Sequence, residues 1–220
     1  MRALRRGTLV VSCQAGRENP LFGPASMALM AQAAEAGGAG GIRANGPDDI
    51  AAIRAVTDLP IIGLHKLGDP AGVYITPTYD AAAGVVAAGA DLVALDATLR
   101  PRPDGQQVAQ QIARIHDELG VPVMADIDTF EAGVAARDVG ADVVATTLSG
   151  YTDGRTPTGP DVELVRQLAA KLDCPIVAEG RIRTPDDVRA VCDAGAYAVV
   201  VGNAITNPMD LTARLAGAIP

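Results

Sequence analysis

The sequence contains no tryptophan, and aromatic residues make up only 3% of its 220 residues. A core built from it must be filled by Ala, Val, Leu and Ile, a diet that suits buried parallel strands covered by helices. Basic residues are outnumbered, 18 against 26 acidic ones, for a formal charge of −8. That balance excludes a nucleic-acid partner, because neutralising a polyanion takes clustered Lys and Arg; any phosphate bound is a small one. Cys13, Cys174 and Cys192 are odd in number and lack metal-type spacing, so they read as buried free thiols in a reducing compartment. Two histidines, His65 and His116, do not supply the converging ligands of a catalytic metal, and no metal is expected. No stretch approaches the roughly 20 apolar residues of a membrane span. The start "MRALRRGTLVVSC" has a basic head but too short an apolar run for a signal peptide. The expectation is a cytoplasmic protein without a membrane partner.

What is present is a repeat of junctions. Helical runs end at Ala-Gly-Ala or a close variant and pass at once into Val-rich stretches, in "AEAGGAGGIRA", "AAGADLVALDA", "DVGADVVATT" and "DAGAYAVVVG". A proline entry does the same in "DLPIIGLHK", "GVPVMADID" and "DCPIVAEGR". Glycine just past a helix adopts the left-handed cap from which a strand can begin without a long loop. With the opening run "TLVVSCQ", these predict strands near 8–13, 40–43, 60–65, 91–96, 121–125, 142–146, 174–178 and 197–201. Between them lie Ala-rich helical segments opened by capping residues such as Asp48, Asp104, Thr129 and Thr184. Right-handed crossovers between parallel strands give an open doubly wound sheet or a closed barrel, and eight even units favour a (β/α)8 TIM barrel. With no linker or charge block along the chain, residues 1–220 read as one domain.

Chemistry in such a barrel sits at the carboxyl ends of the strands. Those ends carry Gln14, Arg43, Lys66, Asp96 with Thr98, Asp126, Thr146 or Thr147, Glu179 and Gly202. Arg43, Lys66, Asp126 and Glu179 meeting at one face are costly to bury together unless a ligand or mutual pairing compensates. In the third strand, alternation places Ile62, Leu64 and Lys66 on one side and Ile61, Gly63 and His65 on the other. Strands seven and eight end in "AEGRIRTPDDV" and "VGNAITNPMDL". Gly180 with Arg181, and Gly202 with Asn203, thus stand before helix starts, where backbone N–H groups can approach an oxyanion in the usual phosphate seat of the fold.

The segments "VSCQA", "GGIRANG", "DLPIIGLHK", "VYITPT", "GADLVALDATLRPRPDG", "MADIDTFEAG", "LSGYT" and "PIVAEGRIRTPDD" resemble the N-acetylmannosamine-6-phosphate 2-epimerase family over nearly the whole chain. The resemblance implies a (β/α)8 enzyme of sialic acid breakdown that interconverts N-acetylmannosamine 6-phosphate and N-acetylglucosamine 6-phosphate with no cofactor. It implies Lys66 as the catalytic lysine, Glu179 as its acidic partner, and Arg43, Asp126 and Gln14 around the reacting end of the substrate. It also implies a homodimer, for which the apolar tail "LTARLAGAI" offers a surface. Two departures stand out: Lys66-Leu67-Gly68 replaces Lys-Arg-Asp, and Asn203 and Asn207 replace the usual Gly and Arg.

The implied chemistry needs these residue types. A hexosamine C2 proton becomes acidic once the ring opens and C2 lies next to an aldehyde. Lys66 serves as base only in its neutral form, which desolvation and Arg43 favour and the carboxylates oppose. Arg43 would stabilise the enolate oxygen. Glu179 would move the ring-opening proton or reprotonate C2, leaving one-base and two-base schemes open. The departures leave two alternatives: a diverged 2-epimerase acting on an unphosphorylated or altered N-acyl amino sugar, and a sugar-phosphate-binding barrel without turnover.

Overall fold

The computed structural model describes residues 4–103, 105–152, 154 and 157–219. Eight strands, β1 (Thr8–Cys13), β2 (Gly41–Asn45), β3 (Ile61–Leu64), β4 (Leu92–Asp96), β5 (Val123–Asp126), β6 (Val143–Ala145), β7 (Ile176–Glu179) and β8 (Ala198–Val201), pair in sequence order. Every pairing is parallel, and β8 closes on β1 with Val10 opposite Val200. The outer layer is α1 (Pro24–Ala36), α2 (Pro47–Arg54), α3 (Tyr79–Ala87), α4 (Val108–Arg114), α5 (Phe130–Asp138), α6 (Val162–Lys171) and α7 (Pro185–Asp193). A short α8 (Asn203–Thr206) and α9 (Pro208–Ala216) follow β8, and a π-helical turn, Ile115–Leu119, extends α4. This is the expected (β/α)8 barrel. Among the described residues, no helix is long and apolar enough to cross a membrane.

Local chemistry explains the helix starts. Thr129 and Thr184 cap α5 and α7, their hydroxyls accepting from Ala132 N at 3.2 Å and Asp187 N at 3.1 Å. Asp48 is not a cap: α2 starts at Pro47 behind Gly46, whose φ of 86° favours glycine. Asp48 lies within the first turn, where its charge still complements the helix dipole. Asp104 lies outside the described residues. His116, placed by the sequence in a helix, lies in the π-helical turn and pairs with Asp142 at 2.8 Å.

Strand alternation divides the core in two. Outward-facing Ile42, Ile61, Val93, Leu95, Val144 and Val199 pack against the helices. Inward-facing Val10, Ile62, Leu64, Leu92, Met124, Val177 and Val200 fill the barrel. This inner plug is narrow and made from aliphatic side chains, which is where a chain without tryptophan loses nothing. The three cysteines are free, but only Cys13 is buried; Cys174 is half-buried and Cys192, on the solvent side of α7, is exposed. Burial pushes the Cys13 thiol up to about 12, leaving it a protonated packing group.

Gly63, in the middle of β3, leaves room for Ile50 of α2, Val85 of α3 and Ala90 just beyond α3. A Cβ there would fall 2.5 Å from the Ala90 Cβ and 3.3 Å from the Val85 Cβ. Gly63→Ala should therefore cost about 1–3 kcal/mol by overpacking. Urea unfolding should show a lower midpoint at unchanged slope; an unmoved midpoint would mean that the packing around Ala90 and Ile50 gives way freely.

Candidate active site

At the carboxyl end of the barrel the aliphatic plug gives way to charge. Arg43 enters from β2, Asp126 from β5 and Glu179 from β7, with side chains 1%, 0% and 15% exposed. Arg43 donates to both oxygens of Asp126, Nη1 to Oδ1 at 3.1 Å and Nη2 to Oδ2 at 2.5 Å. Its Nη1 also lies 3.1 Å from Glu179 Oε2. A bidentate fork of this kind fixes the guanidinium plane as well as its position. Thr147, just past β6, reaches both acids: its Oγ1 lies 2.7 Å from Asp126 Oδ1 and 3.0 Å from Glu179 Oε2.

Lys66 is delivered differently from the strand end that the alternation predicts. β3 stops at Leu64, and residues 65–67 fold back against 74–76 in a small antiparallel hairpin, with Lys66 bridged to Ile75. Leu67 N donates to Tyr74 O at 2.9 Å, and Thr76 N to His65 O at 2.8 Å. Ladder pairing ends because the chain must turn back over the barrel mouth. The hairpin is pinned at several points. Lys66 N donates to Asn45 Oδ1 at 2.8 Å. Thr76 holds a left-handed φ of 46°, an outlier for a β-branched residue. Its hydroxyl donates to Ala94 O at 2.6 Å and accepts from His65 N at 3.0 Å, and its carbonyl accepts from Gln111 at 3.0 Å. Further along, Arg100 donates to Ala71 O at 3.0 Å while Asp96 and Thr98 hold its other nitrogens at 2.7 and 3.0 Å. Asp96 and Thr98, read from the sequence as rim residues, thus serve this clamp.

These elements wall a cavity of about 680 Å³ lined by Gln14, Arg43, Lys66, Glu179, Gly180, Arg181, Gly202 and Asn203 among others. Asp126 does not line it; the carboxylate sits beneath the floor, against Arg43 and Thr147. Arg181, with a left-handed φ of 56°, turns its guanidinium to Gly159 O at 2.8 Å and Ser149 O at 2.6 Å. It holds loops together beside the cavity. Gln14 donates to Ser12 at 2.9 Å. The buried Gln14 Oε1 and Arg43 Nε have no hydrogen-bond partner among the described residues, leaving polar valence for a ligand. His65 points away from this group, as its strand parity predicts, and burial holds its pKa below the ordinary value. Tyr74, Asn45 and Arg100 belong to the site but escaped the strand-end reading, because none of them ends an apolar run in line with the barrel. No group of three or more His, Cys, Asp or Glu among the described residues is placed to hold a metal ion.

The charges perturb one another. Burial alone would lower the pKa of Arg43, but Asp126 and Glu179 more than offset this and hold it above the ordinary value. Lys66 is solvent-accessible through the cavity mouth yet hemmed in by protein. The loss of water around its ammonium, followed by the like charge of Arg43, holds it below the usual lysine range against the pull of Glu179 and Asp126. Burial and then Asp126 push Glu179 up, with Arg43 opposing. The result is a lysine biased toward the free amine and a glutamate biased toward the acid, in one cavity.

Fold and cavity together define a (β/α)8-barrel protein with a charged small-ligand site at the carboxyl rim. The chain matches the family model described as "NanE: Putative N-acetylmannosamine-6-phosphate epimerase" over residues 27–220. It is 51% identical over 209 residues, 94% of this chain and 91% of the other, to a protein of Cutibacterium acnes named "Putative N-acetylmannosamine-6-phosphate 2-epimerase". A protein of the same name from Caldanaerobacter subterraneus is 48% identical over 209 residues, covering 94% and 88% of the two chains. The solved N-acetylmannosamine-6-phosphate 2-epimerase from Clostridium perfringens superimposes with a TM-score of 0.93 at 42% identity, covering 97% of this chain and 94% of that one. This chain belongs to the NanE family.

Removing Arg43 tests how far the ionic floor supports the barrel. Arg43→Met leaves Asp126 buried without its cation and should cost roughly 3–5 kcal/mol. Adding Asp126→Leu in the same protein should recover most of that loss in denaturant unfolding. A single variant as stable as the parent would show that Asp126 finds water or another partner.

Proposed function

We propose that this protein interconverts N-acetylmannosamine 6-phosphate and N-acetylglucosamine 6-phosphate by moving the proton at C2. The observation that carries the reading is the placement of its two proton-transfer groups. Lys66, on the hairpin after β3, and Glu179, at the end of β7, both line the cavity, and their strands stand four apart in the closed order of eight, which we read as approach to the substrate from two sides. Epimerisation removes a proton from one face of a carbon and returns one to the other, and this arrangement favours the two-base scheme. In the open-chain sugar Lys66 takes the C2 proton, the Arg43 guanidinium steadies the enolate oxygen, and Glu179 supplies the proton on the far side. Gln14 offers its unpartnered amide oxygen to the substrate. Asp126 acts from below by fixing Arg43. No cofactor enters these steps.

We assign the 6-phosphate to the loops at Gly180 and Gly202, which line the cavity together with Asn203 and where Arg183 and Arg214 add positive charge. Asn207, which stands where the resembled family has arginine, is engaged here: its Oδ1 caps α9 through Asp210 N and accepts from Asn19, both at 3.2 Å. The reading places the enzyme in the cytoplasm, in amino sugar breakdown, without nucleic acid or membrane partners. We further infer a single 1–220 domain that pairs as a homodimer, consistent with Met209, Leu215 and Ile219 standing 47%, 67% and 74% exposed on and beyond α9. Light scattering at micromolar protein should give twice the chain mass; a monomer mass would reject the pairing.

Activity is tested in deuterated water with phosphorylated and unphosphorylated N-acetylmannosamine. The product should carry solvent deuterium at C2 while substrate recovered early carries little, the signature of two bases, and kcat/KM should favour the phosphate. Lys66→Met should cut kcat by about a hundred- to ten-thousandfold while binding changes far less. Product without label would defeat the proton-transfer mechanism. Preference for the unphosphorylated sugar would establish the diverged activity, and absence of all turnover a binding protein.

A further inference from the structure

Thr147 stands between the two acids of the site, and its hydroxyl has one proton to give. Its Oγ1 is within hydrogen-bond distance of both, 2.7 Å from Asp126 Oδ1 and 3.0 Å from Glu179 Oε2. If both acids were ionised, one of these contacts would contain no hydrogen, and lone pairs would face each other where little water reaches. One further proton on a carboxyl completes the chain. Asp126 is not its seat, because both its oxygens already take N–H bonds from Arg43, at 3.1 and 2.5 Å. Glu179 has one contact with Arg43, at 3.1 Å, and is 15% open to the cavity.

We propose that Thr147 is a positioning residue that keeps Glu179 in its acid form, accepting from the Glu179 Oε2–H while donating its own proton to Asp126 Oδ1. This rests on the epimerase reading and deepens it. The charged and titratable groups around Glu179 are Arg43 from β2, Lys66 from the hairpin after β3 and Asp126 from β5, with the Tyr74 phenol near Arg43 and Asp126. The Arg43 charge is balanced by Asp126, so a neutral Glu179 leaves no anion that must be met by a protonated Lys66. In turnover the C2–H bond breaks and its proton passes to Lys66 Nζ. The Glu179 O–H turns from Thr147 to the substrate, its O–H bond breaks and a new C2–H bond forms on the other face. The Thr147 hydroxyl then turns from Asp126 to the new Glu179 carboxylate, and Asp126 keeps its two bonds to Arg43. Return of the proton from Lys66 to Glu179 through water restores the starting state.

The opposite polarity makes an opposite prediction. A hydroxyl that donates to Glu179 at rest stabilises the carboxylate, so deleting it would raise the glutamate pKa; a hydroxyl that accepts stabilises the acid, so deleting it lowers the pKa. The experiment is a pH titration of protein labelled with carbon-13 at the glutamate carboxyl, with the Glu179 signal assigned by its loss in Glu179→Gln. Glu179 should titrate above the exposed glutamates. Thr147→Val should move its midpoint down, shift the alkaline limb of kcat the same way, and reduce kcat on the order of ten- to a hundredfold with little change in KM. Thr147→Ser, which keeps the hydroxyl, should restore midpoint and rate together. A Glu179 signal that titrates with the exposed glutamates, a midpoint that rises or stays fixed in Thr147→Val, or a serine variant no better than valine would overturn the assignment. The titration needs no substrate, so it still decides the role of Thr147 if the parent protein fails to exchange C2.

Discussion

The Arg43–Asp126 pair is the constraint on which the site depends. It crosses the barrel mouth from β2 to β5 with both partners at most 1% exposed, a placement that water would oppose were the fork not bidentate. Held there, the guanidinium cannot swing toward solvent. Its remaining reach is toward Glu179 on one side and the cavity on the other. The perturbed states of Lys66 and Glu179 arise first from burial, and the pair modulates them: the Arg43 cation adds to the lowering of Lys66 and opposes the raising of Glu179, while Asp126 pulls both upward.

The aliphatic plug is what makes this floor possible. Ile62, Leu64, Met124, Val177 and Val200 close the barrel from below, so the charges have solvent on one side only. A single-sided dielectric boundary strengthens every interaction among them. The same layer explains why so few aromatic residues suffice: a barrel interior of this width is filled by branched aliphatic side chains, and large rings would force the strands apart.

Much of this was legible in the residues. Helix-to-strand junctions at Ala-Gly-Ala and at proline set the strand count, and polar residues ending apolar runs picked out Arg43, Asp126 and Glu179, because alternation is a local property of a strand. Expectations failed where tertiary geometry intervened. Asp48 looked like a cap, yet Gly46 with its positive φ begins the helix. The hairpin after β3 has no period of its own, so Tyr74 and the clamp from Arg100 to Ala71 were invisible until the loops were placed side by side. Thr146 and Thr147 could not be separated, since the choice depends on where β6 ends. Thr146 turns to the Glu179 backbone, at 3.0 Å from its carbonyl, and Thr147 to the side chains.

The hairpin has an evolutionary reading. Lys66 sits outside the barrel ladder, on a segment attached by Asn45, Thr76 and Arg100. Substitutions at the exposed positions 67–71 can reshape the approach to the amine without disturbing the pairing of any strand, whereas Asn45, Arg43 and Glu179 tie its immediate surroundings to β2 and β7. Leu67 and Gly68, where this chain departs from the resembled motif, fall in that exposed stretch. A lineage that divides its scaffold and its base in this way can explore new acyl groups at low risk to the fold.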